Sequence, residues 1–296
     1  MVTALAKKRR KALFVFILPG LILLTIFIIL PFFMSFGLSF TNQRILSRLP
    51  TEFIGIRNYE RLFRDDLFFT GLKNNMIFAL IVVPLQTMLA LGMAMVVNKN
   101  LKGVKIFRTA YFMPTVTTMV VVSVVWSFMY NPQGIINNFM QSITFGQWET
   151  IDFLKNSKWA FPSIMLMSIW QGAGFQMLIF LAGLQEIPKM LYEAAIIDGA
   201  NKWRQFLHIT LPQLRNTTAF VLISTTILSL RLFDQIKVMT NGGPSNSTYT
   251  VILHLYNSGF TKQKVGYASA MTVVFFLIVL AISILQRIVL KEQREV

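Results

Sequence analysis

Cysteine is absent from this 296-residue chain, and histidine occurs only twice, at His208 and His254. Without cysteine there is no disulfide, no thiolate metal centre and no cysteine nucleophile. The two histidines stand too far apart for a recognisable His-based metal motif. Charge is the next scarcity: Asp, Glu, Lys and Arg together make up 14% of the residues, against about a quarter in water-soluble chains. Hydrophobic residues make up 54%, and the mean hydropathy is +0.59. Those figures exclude a water-soluble globular protein. The apolar excess is gathered into runs of ~20 residues, enough to cross a hydrocarbon layer ~30 Å thick, so this is the sequence of a membrane protein.

Acidic residues are scarcer than basic ones, 12 against 28, which leaves a net charge of +16. In a soluble chain that balance suggests nucleic acid. Here the basic residues punctuate apolar spans, so they read as the loop charges that orient a membrane protein, and no nucleic-acid partner is expected.

The hydropathy pattern places six spans at residues 12–40, 76–97, 109–130, 160–184, 216–230 and 265–286. The fifth is short and is expected to extend through Arg231. The basic run Lys7-Lys8-Arg9-Arg10-Lys11 precedes an apolar stretch far longer than a secretory signal core and without a small-x-small cleavage site, so a retained first helix is expected. Pro19 and Pro31 predict a kink or break in it. With the N-terminus inside, the cytoplasmic segments hold about sixteen Lys and Arg in roughly sixty residues, and the outer loops about twelve in roughly a hundred. These include Lys99, Lys102, Lys105 and Arg108, then Lys189, Lys202, Arg204 and Arg215, then Arg287, Lys291 and Arg294. Both termini are therefore expected in the cytoplasm.

The chain divides into a tail and first helix over 1–40, an external segment over 41–75 and a five-helix core over 76–296. In the external segment Phe53, Ile54, Ile56, Tyr59, Leu62, Phe63, Leu67 and Phe68 recur at near-helical spacing, which predicts an amphipathic helix at the membrane surface or against a partner. The other outer loops, 131–159 and 231–264, carry turn signals such as Asn131-Pro132 and Asn241-Gly242-Gly243-Pro244. Loops of that size suit docking of an external protein, or simple connection.

No Asp, Glu, Lys, Arg or His falls inside the six spans as drawn, whereas intramembrane ionisable groups are the usual machinery of proton relays and pumps. There is also no G-x-x-x-x-G-K-[ST] loop to cradle nucleotide phosphates. Energy for uphill transport must then come from another polypeptide, or from ions held by neutral oxygens. At ~1.5 Å rise per residue, Gln86, Gln171 and Thr225 fall about half-way through their helices, with Gln176 a turn further in. Each can serve interhelical hydrogen bonding. Together they bring neutral donors and acceptors from three helices to one depth, where transporter sites tend to lie, and such a lining suits a neutral polyhydroxyl solute. Trp170 precedes Gln171, while Trp126 and Tyr130 share a face at i,i+4. Aromatic rings stack on sugars but also mark membrane interfaces, which is the better reading for Trp126 and Tyr130.

The most informative stretch runs from Glu193 to Pro212. It reads as a helix opening after Pro188, two small residues Ala194 and Ala195, a break at Gly199, and a second helix ended by Pro212. Some 30 ordered residues, 185–215, in a place where a short connection is expected call for a partner.

The spacing E-A-A, three residues, G, nine residues, I-x-L-P is matched by Glu193, Ala194, Ala195, Gly199, Ile209, Leu211 and Pro212. It resembles the EAA loop of bacterial ABC importer permeases. Phe53-x-Gly55, Asn58-Tyr59, Leu62 and Asp65 resemble the first outer segment of sugar permeases of the maltose-transporter type. Gly103, Phe107-Arg108, Pro114, Trp126, Asn131-Pro132, Phe233-Asp234 and Met239-Thr240-x-Gly242-Gly243-Pro244 continue that pattern.

The resemblance implies an all-α integral membrane protein with six transmembrane helices and the type I importer permease fold, with coupling helices on the cytoplasmic side of the bacterial inner membrane. It implies a non-enzymatic subunit of an ATP-driven, binding-protein-dependent sugar importer. The partners it implies are a second homologous permease, two cytoplasmic ATPase subunits that hold ATP and Mg, an external substrate-binding protein and the sugar. This chain would bind no cofactor or metal itself. Glu193 would contact the ATPase, Ala194 and Ala195 would allow close packing, and Asp198-Gly199 would form the bend. The substrate path would draw on Gln86, Trp170, Gln171, Gln176 and Thr225. From the residues alone, a secondary carrier or channel working without an ATPase, or a scaffold, also remains open.

Overall fold

The computed structural model describes residues 16–46, 50–99 and 103–290. The basic run Lys7–Lys11, Lys102, Lys291 and Arg294 lie outside the described residues. The structure is helical, with an isolated antiparallel bridge between Thr41 and Phe53. Two compact units can be told apart: Met1–Asp65 with Leu255–Leu277, and Asp66–His254 with Ile278–Val296.

In the first unit α1, Phe16–Leu38, is one continuous apolar helix with none of its span buried. No break interrupts it at its prolines. Thr25–Ile29 forms a π-turn. Pro31 would clash with the carbonyl four residues back, on Phe27, and Phe27 lies inside that wider turn. The amphipathic helix expected over the stripe 53–68 is also broken. Only α2, Arg57–Leu62, is helical; Arg64 and Asp65 donate back to Arg61 and Leu62 in a tight turn, and Leu67 and Phe68 belong to the next helix. Within α2 Asn58 is buried and donates its amide to the carbonyls of Ser39 (2.8 Å) and Thr41 (2.9 Å), which turns a polar residue inward. The Tyr267 hydroxyl donates to the Asp65 carboxylate, and the Arg61 guanidinium lies 4.7 Å from the Tyr267 ring centre. Close by, the Lys264 ammonium is pushed below the usual lysine range. Arg61 contributes most, followed by partial burial and the charges of Arg44 and Lys262.

The second unit is organised around α3, Asp66–Val97, and α7, Ala160–Glu186. Small residues set their separation: Ala90, Ala94 and Ala173 are fully buried and let Met177 and Phe180 close the space between the backbones. At the other end Phe78 and Val82 pack against Phe161 and Ile164. Asn75 joins three segments, donating to the carbonyl of Leu230 (2.7 Å) and accepting from the backbone N–H of Val251 (3.0 Å).

The expected span 109–130 is not one straight helix. Val104–Val116 (α4) and Met119–Met129 (α5) meet at 99°. Thr117 and Thr118 between them are extended, a conformation β-branched residues favour. α4 is seated tightly on α7, because a side chain at Gly174 would come within 2.0 Å of the Tyr111 carbonyl. A short helix, α6, Ile135–Ile143, follows.

After α7 come α8, Lys189–Ile197, and α9, residues 202–213, then α10, Arg215–Leu230, and α11, Asp234–Met239. Pro212 lies at the end of its helix, as expected. It sits just past a π-turn, Phe206–Thr210, which contains its clash partner His208, and the helix ends at Gln213. The fifth span does extend past Arg231, as Arg215–Met239, but its helix is interrupted: α10 stops at Leu230, and residues 231–233 turn before α11. The segment 231–264 is no plain surface loop either. Thr248, Thr250 and Val251 are fully buried, and Gly71 of α3 comes so near that an added Cβ would lie 2.8 Å from the Val251 nitrogen. The helices α12, Val251–Tyr256, and α13, Val265–Leu290, complete the chain, the latter starting in the first unit and finishing in the second.

Among the described residues five helical stretches can cross a membrane by length and composition: Phe16–Leu38, Asp66–Val97, Ala160–Glu186, Arg215–Met239 and Val265–Leu290. Counting the bent pair as one span makes six.

Candidate functional site

Two features of the second unit concern transport, a polar cavity and an exposed turn, and both hang on α7 and α10.

The cavity, of about 370 Å³, is lined by α3, α7, α10 and the break after α10. Gln86 of α3, Gln171 of α7 and Thr225 of α10 all enter its wall, so three of the polar residues placed at one depth by helical rise do meet. Neither glutamine side chain has a partner among the described residues. Gln86 is buried and Gln171 half-buried, and both line a space that can hold a polar solute. The remaining wall is apolar, including Phe78, Val82 and Leu228.

The other two expected path residues lie outside that lining. Gln176 is buried and donates to the Thr225 hydroxyl at 2.5 Å, tying α7 to α10. Trp170 points to another side of α7, with its ring centre 5.5 Å from that of Trp126, which in turn lies 5.2 Å from Tyr130.

Ser168, Ser229, Asp234 and Gln235, not expected from the sequence as path residues, also line the cavity, together with Arg231, which the sequence puts near the outer mouth, where it leaves open an acidic substrate. Helical spacing signals two of them, since Ser168 stands three residues before Gln171 and Ser229 four after Thr225, each on the same face. Arg231, Asp234 and Gln235 enter only because the helix breaks at 231–233.

The turn joins α8 to α9. The Ala200 N–H donates to the Ala195 carbonyl (2.8 Å) and the Gly199 N–H to that of Ile196 (3.0 Å), with Gly199 left-handed at φ +74°. These paired bonds form a Schellman ending, for which glycine is the unstrained residue. One residue later Asn201 caps α9, accepting from the Arg204 N–H at 2.8 Å. Two helix ends satisfied back to back make a stiff corner. Glu193, Ala194, Asp198 and Gly199 are exposed on it and Ala195 is half-buried, with the large apolar side chains of Met190, Ile196, Ile197 and Trp203 also outward. Tyr192 anchors the corner through a 2.9 Å hydroxyl contact with Thr210. A rigid apolar surface of this kind suits a protein partner.

Among the described residues no group of three or more His, Asp or Glu is placed to hold a metal ion.

Comparison with known proteins is consistent across sequence and structure. The sequence profile of the family described as "Binding-protein-dependent transport system inner membrane component" matches residues 74–295. The chain is 35% identical to the probable ABC transporter permease protein YurN of Bacillus subtilis (strain 168), covering 95% of this chain and 97% of that one. It is 34% identical to the lactose transport system permease protein LacF of Rhizobium radiobacter, covering 94% of each. Among solved structures it resembles, over 100% of both chains with a TM-score of 0.81 and 23% identity, a chain of a bacterial ABC transporter involved in the import of the acidic polysaccharide alginate.

Proposed function

The chain belongs to the family of binding-protein-dependent transport system inner membrane components, and on that premise we propose that it forms one side of a carbohydrate path through the membrane. It is a multi-pass permease subunit of an ABC importer. The observation that carries the carbohydrate reading is the cavity where the free amides of Gln86 and Gln171 and the Thr225 hydroxyl converge between apolar walls. Neutral donors and acceptors of this kind pair with sugar hydroxyls without asking for ionisation. Arg231 enters the same lining, but Asp234 offsets its charge, which favours a neutral solute over an acidic one.

The exposed corner is the place for an ATPase subunit. Glu193, Ala194, Ala195, Asp198 and Gly199 offer their surface to it, and ATP and Mg belong to that partner. Coupling follows from connectivity. The corner is flanked directly by α7 and α10, so a push on it is delivered to the two helices that carry Gln171 and Thr225. Gln171 lies about 22 Å along α7 from Glu186 at ~1.5 Å per residue, a distance a packed helix transmits as a lever. A second permease completes the path, an external binding protein delivers solute, and both termini face the cytoplasm with the Lys/Arg-rich segments. Residues 1–40 would form a peripheral tail and helix, 41–75 an external segment and 76–296 the transport core.

The test is reconstitution with the second permease, the ATPase subunits and the binding protein, followed by uptake across a panel of mono- and disaccharides. ATP-dependent, binding-protein-dependent uptake is expected. Uptake by this chain alone, driven by an ion gradient, would overturn the reading in favour of a secondary carrier.

A further inference from the structure

The short helix α6 is turned inside out. Asn137 is fully buried, donating to the carbonyls of Asn131 (3.0 Å) and Ile151 (2.8 Å) and accepting from the Trp148 indole N–H (3.1 Å) and the Ile151 N–H (3.0 Å). Four bonds to one side chain fix the rotation of the helix. They leave Ile135, Phe139 and Ile143, at i, i+4 and i+8, as an outward stripe exposed by 63%, 63% and 53%. In water the opposite arrangement is favoured, with asparagine outside and phenylalanine inside.

We propose that α6 is an interfacial anchor that lies in the membrane boundary with this stripe in the lipid. Three observations commit the stripe to lipid. It continues an exposed apolar surface on a candidate span: α5, the second part of the bent pair, exposes Val121, Val124, Val125 and Phe128, and α6 follows after a short turn. Charge is absent over the whole stretch, with no Asp, Glu, Lys or Arg from Thr109 through Trp148, and it returns at Glu149 and Asp152. Trp148, held by the Asn137 hub, stands at that transition, where tryptophan is enriched in membrane proteins. The helix has nine residues and is ~14 Å long, too short to cross and long enough to lie along a leaflet.

Chain order puts α6 before α7 and the 189–213 corner after it, so the anchor grips the leaflet at the opposite end of α7 from the corner. There it holds the end of α5, whose first residue, Met119, lines the cavity. The anchor thus fixes the depth of one cavity wall while the corner moves the others. This consequence rests on the transport reading; the location of α6 does not.

The chain has no cysteine, so single nitroxide labels can be placed at Phe139→Cys, Ile143→Cys and, on the opposite face, Gln141→Cys without background, in the reconstituted transporter in phosphatidylcholine nanodiscs. Accessibility to dissolved oxygen and to a water-soluble nickel chelate is then compared. The expected result is an oxygen-to-nickel ratio several-fold higher at 139 and 143 than at 141. Nickel access at all three positions overturns the proposal in favour of a solvated loop. Shielding of 139 and 143 from both reagents overturns it in favour of a protein partner. Should Phe139→Cys fail to fold, Ile135→Cys samples the same stripe. A lipid-seated label in a complex without sugar uptake would overturn the transport reading and leave the anchor standing.

Discussion

The side-chain amide of Gln86 lies directly over the α-carbon of Gly172, so close that a methyl group at that glycine would stand 2.5 Å from Nε2 and 2.8 Å from Cδ. Glycine at 172 is what allows an amide on α3 to reach across α7 into the cavity. Gly172→Ala is expected to displace the flexible end of Gln86 while leaving the helices packed. The loss of one polar contact is worth about 0.5–1.5 kcal/mol, roughly a two- to tenfold weaker apparent affinity for solute. Uptake kinetics of the complex measure it. An unchanged KM in both Gly172→Ala and Gln86→Leu would remove Gln86 from the solute path.

Two residues on, the same substitution has a different target. At Gly174 the obstacle is backbone, the Tyr111 carbonyl at 2.0 Å and its carbon at 2.9 Å, which cannot swing aside. Gly174→Ala is therefore expected to unseat α4 from α7 and to cost stability on the scale of core overpacking, about 1–3 kcal/mol. Thermal melting of the purified protein in detergent should show a clear drop for Gly174→Ala and little change for Gly172→Ala.

At Gly199 there is no atom within 4 Å of the place a side chain would occupy, yet φ is +74°. Any effect of substitution is then conformational and not steric. Gly199→Val is expected to strain the Schellman ending by about 1–2 kcal/mol and to lower uptake per ATP hydrolysed, while Gly199→Asn, which tolerates the left-handed region, keeps coupling. Equal coupling in the two variants would contradict the assignment.

Removal of the Asn75 side chain leaves the Leu230 carbonyl and the Val251 N–H unpaired in a buried setting. Asn75→Ala should cost about 1–3 kcal/mol for each group so exposed, and the melting temperature should fall accordingly. A neutral result would mean that water or a shifted backbone replaces both bonds.

Lys264 gives a signed expectation. Its pKa in the folded protein lies below the ordinary lysine value, first because of Arg61. The unfolded chain therefore holds this proton more tightly, and stability rises with pH as the group titrates toward ~10.4. Lys264→Gln should remove that slope and raise the melting temperature slightly at low salt. The gain should fade near ~1 M salt, where the screening length is about 3 Å. A gain that persists at high salt would point to packing instead of charge.

Much of the architecture is legible in the chain because its signals are local. The helix after Pro188, the glycine corner at 199 and the common depth of Gln86, Gln171 and Thr225 all follow from spacing along one helix or one turn. The misreadings arise where a residue answers to something distant in sequence. Asn58, a polar residue within the amphipathic stripe, is drawn inward by the carbonyls of Ser39 and Thr41. Pro31 looks like a helix breaker until the π-turn before it is seen. Gln176 is turned onto Thr225 by the packing of α7 on α10, away from the cavity that its depth had suggested.

Membrane residence, the approximate spans and the glycine corner were determined by the sequence alone, because hydropathy and glycine turns act over a few residues. Tertiary structure alone decided which polar side chains share a wall, that the 104–129 segment bends through 99°, and that Arg231 and Asp234 join the cavity. The reason is physical: helical rise sets how deep a residue lies, but which way it faces is set by the neighbouring helix, and that contact is made between residues far apart in the chain.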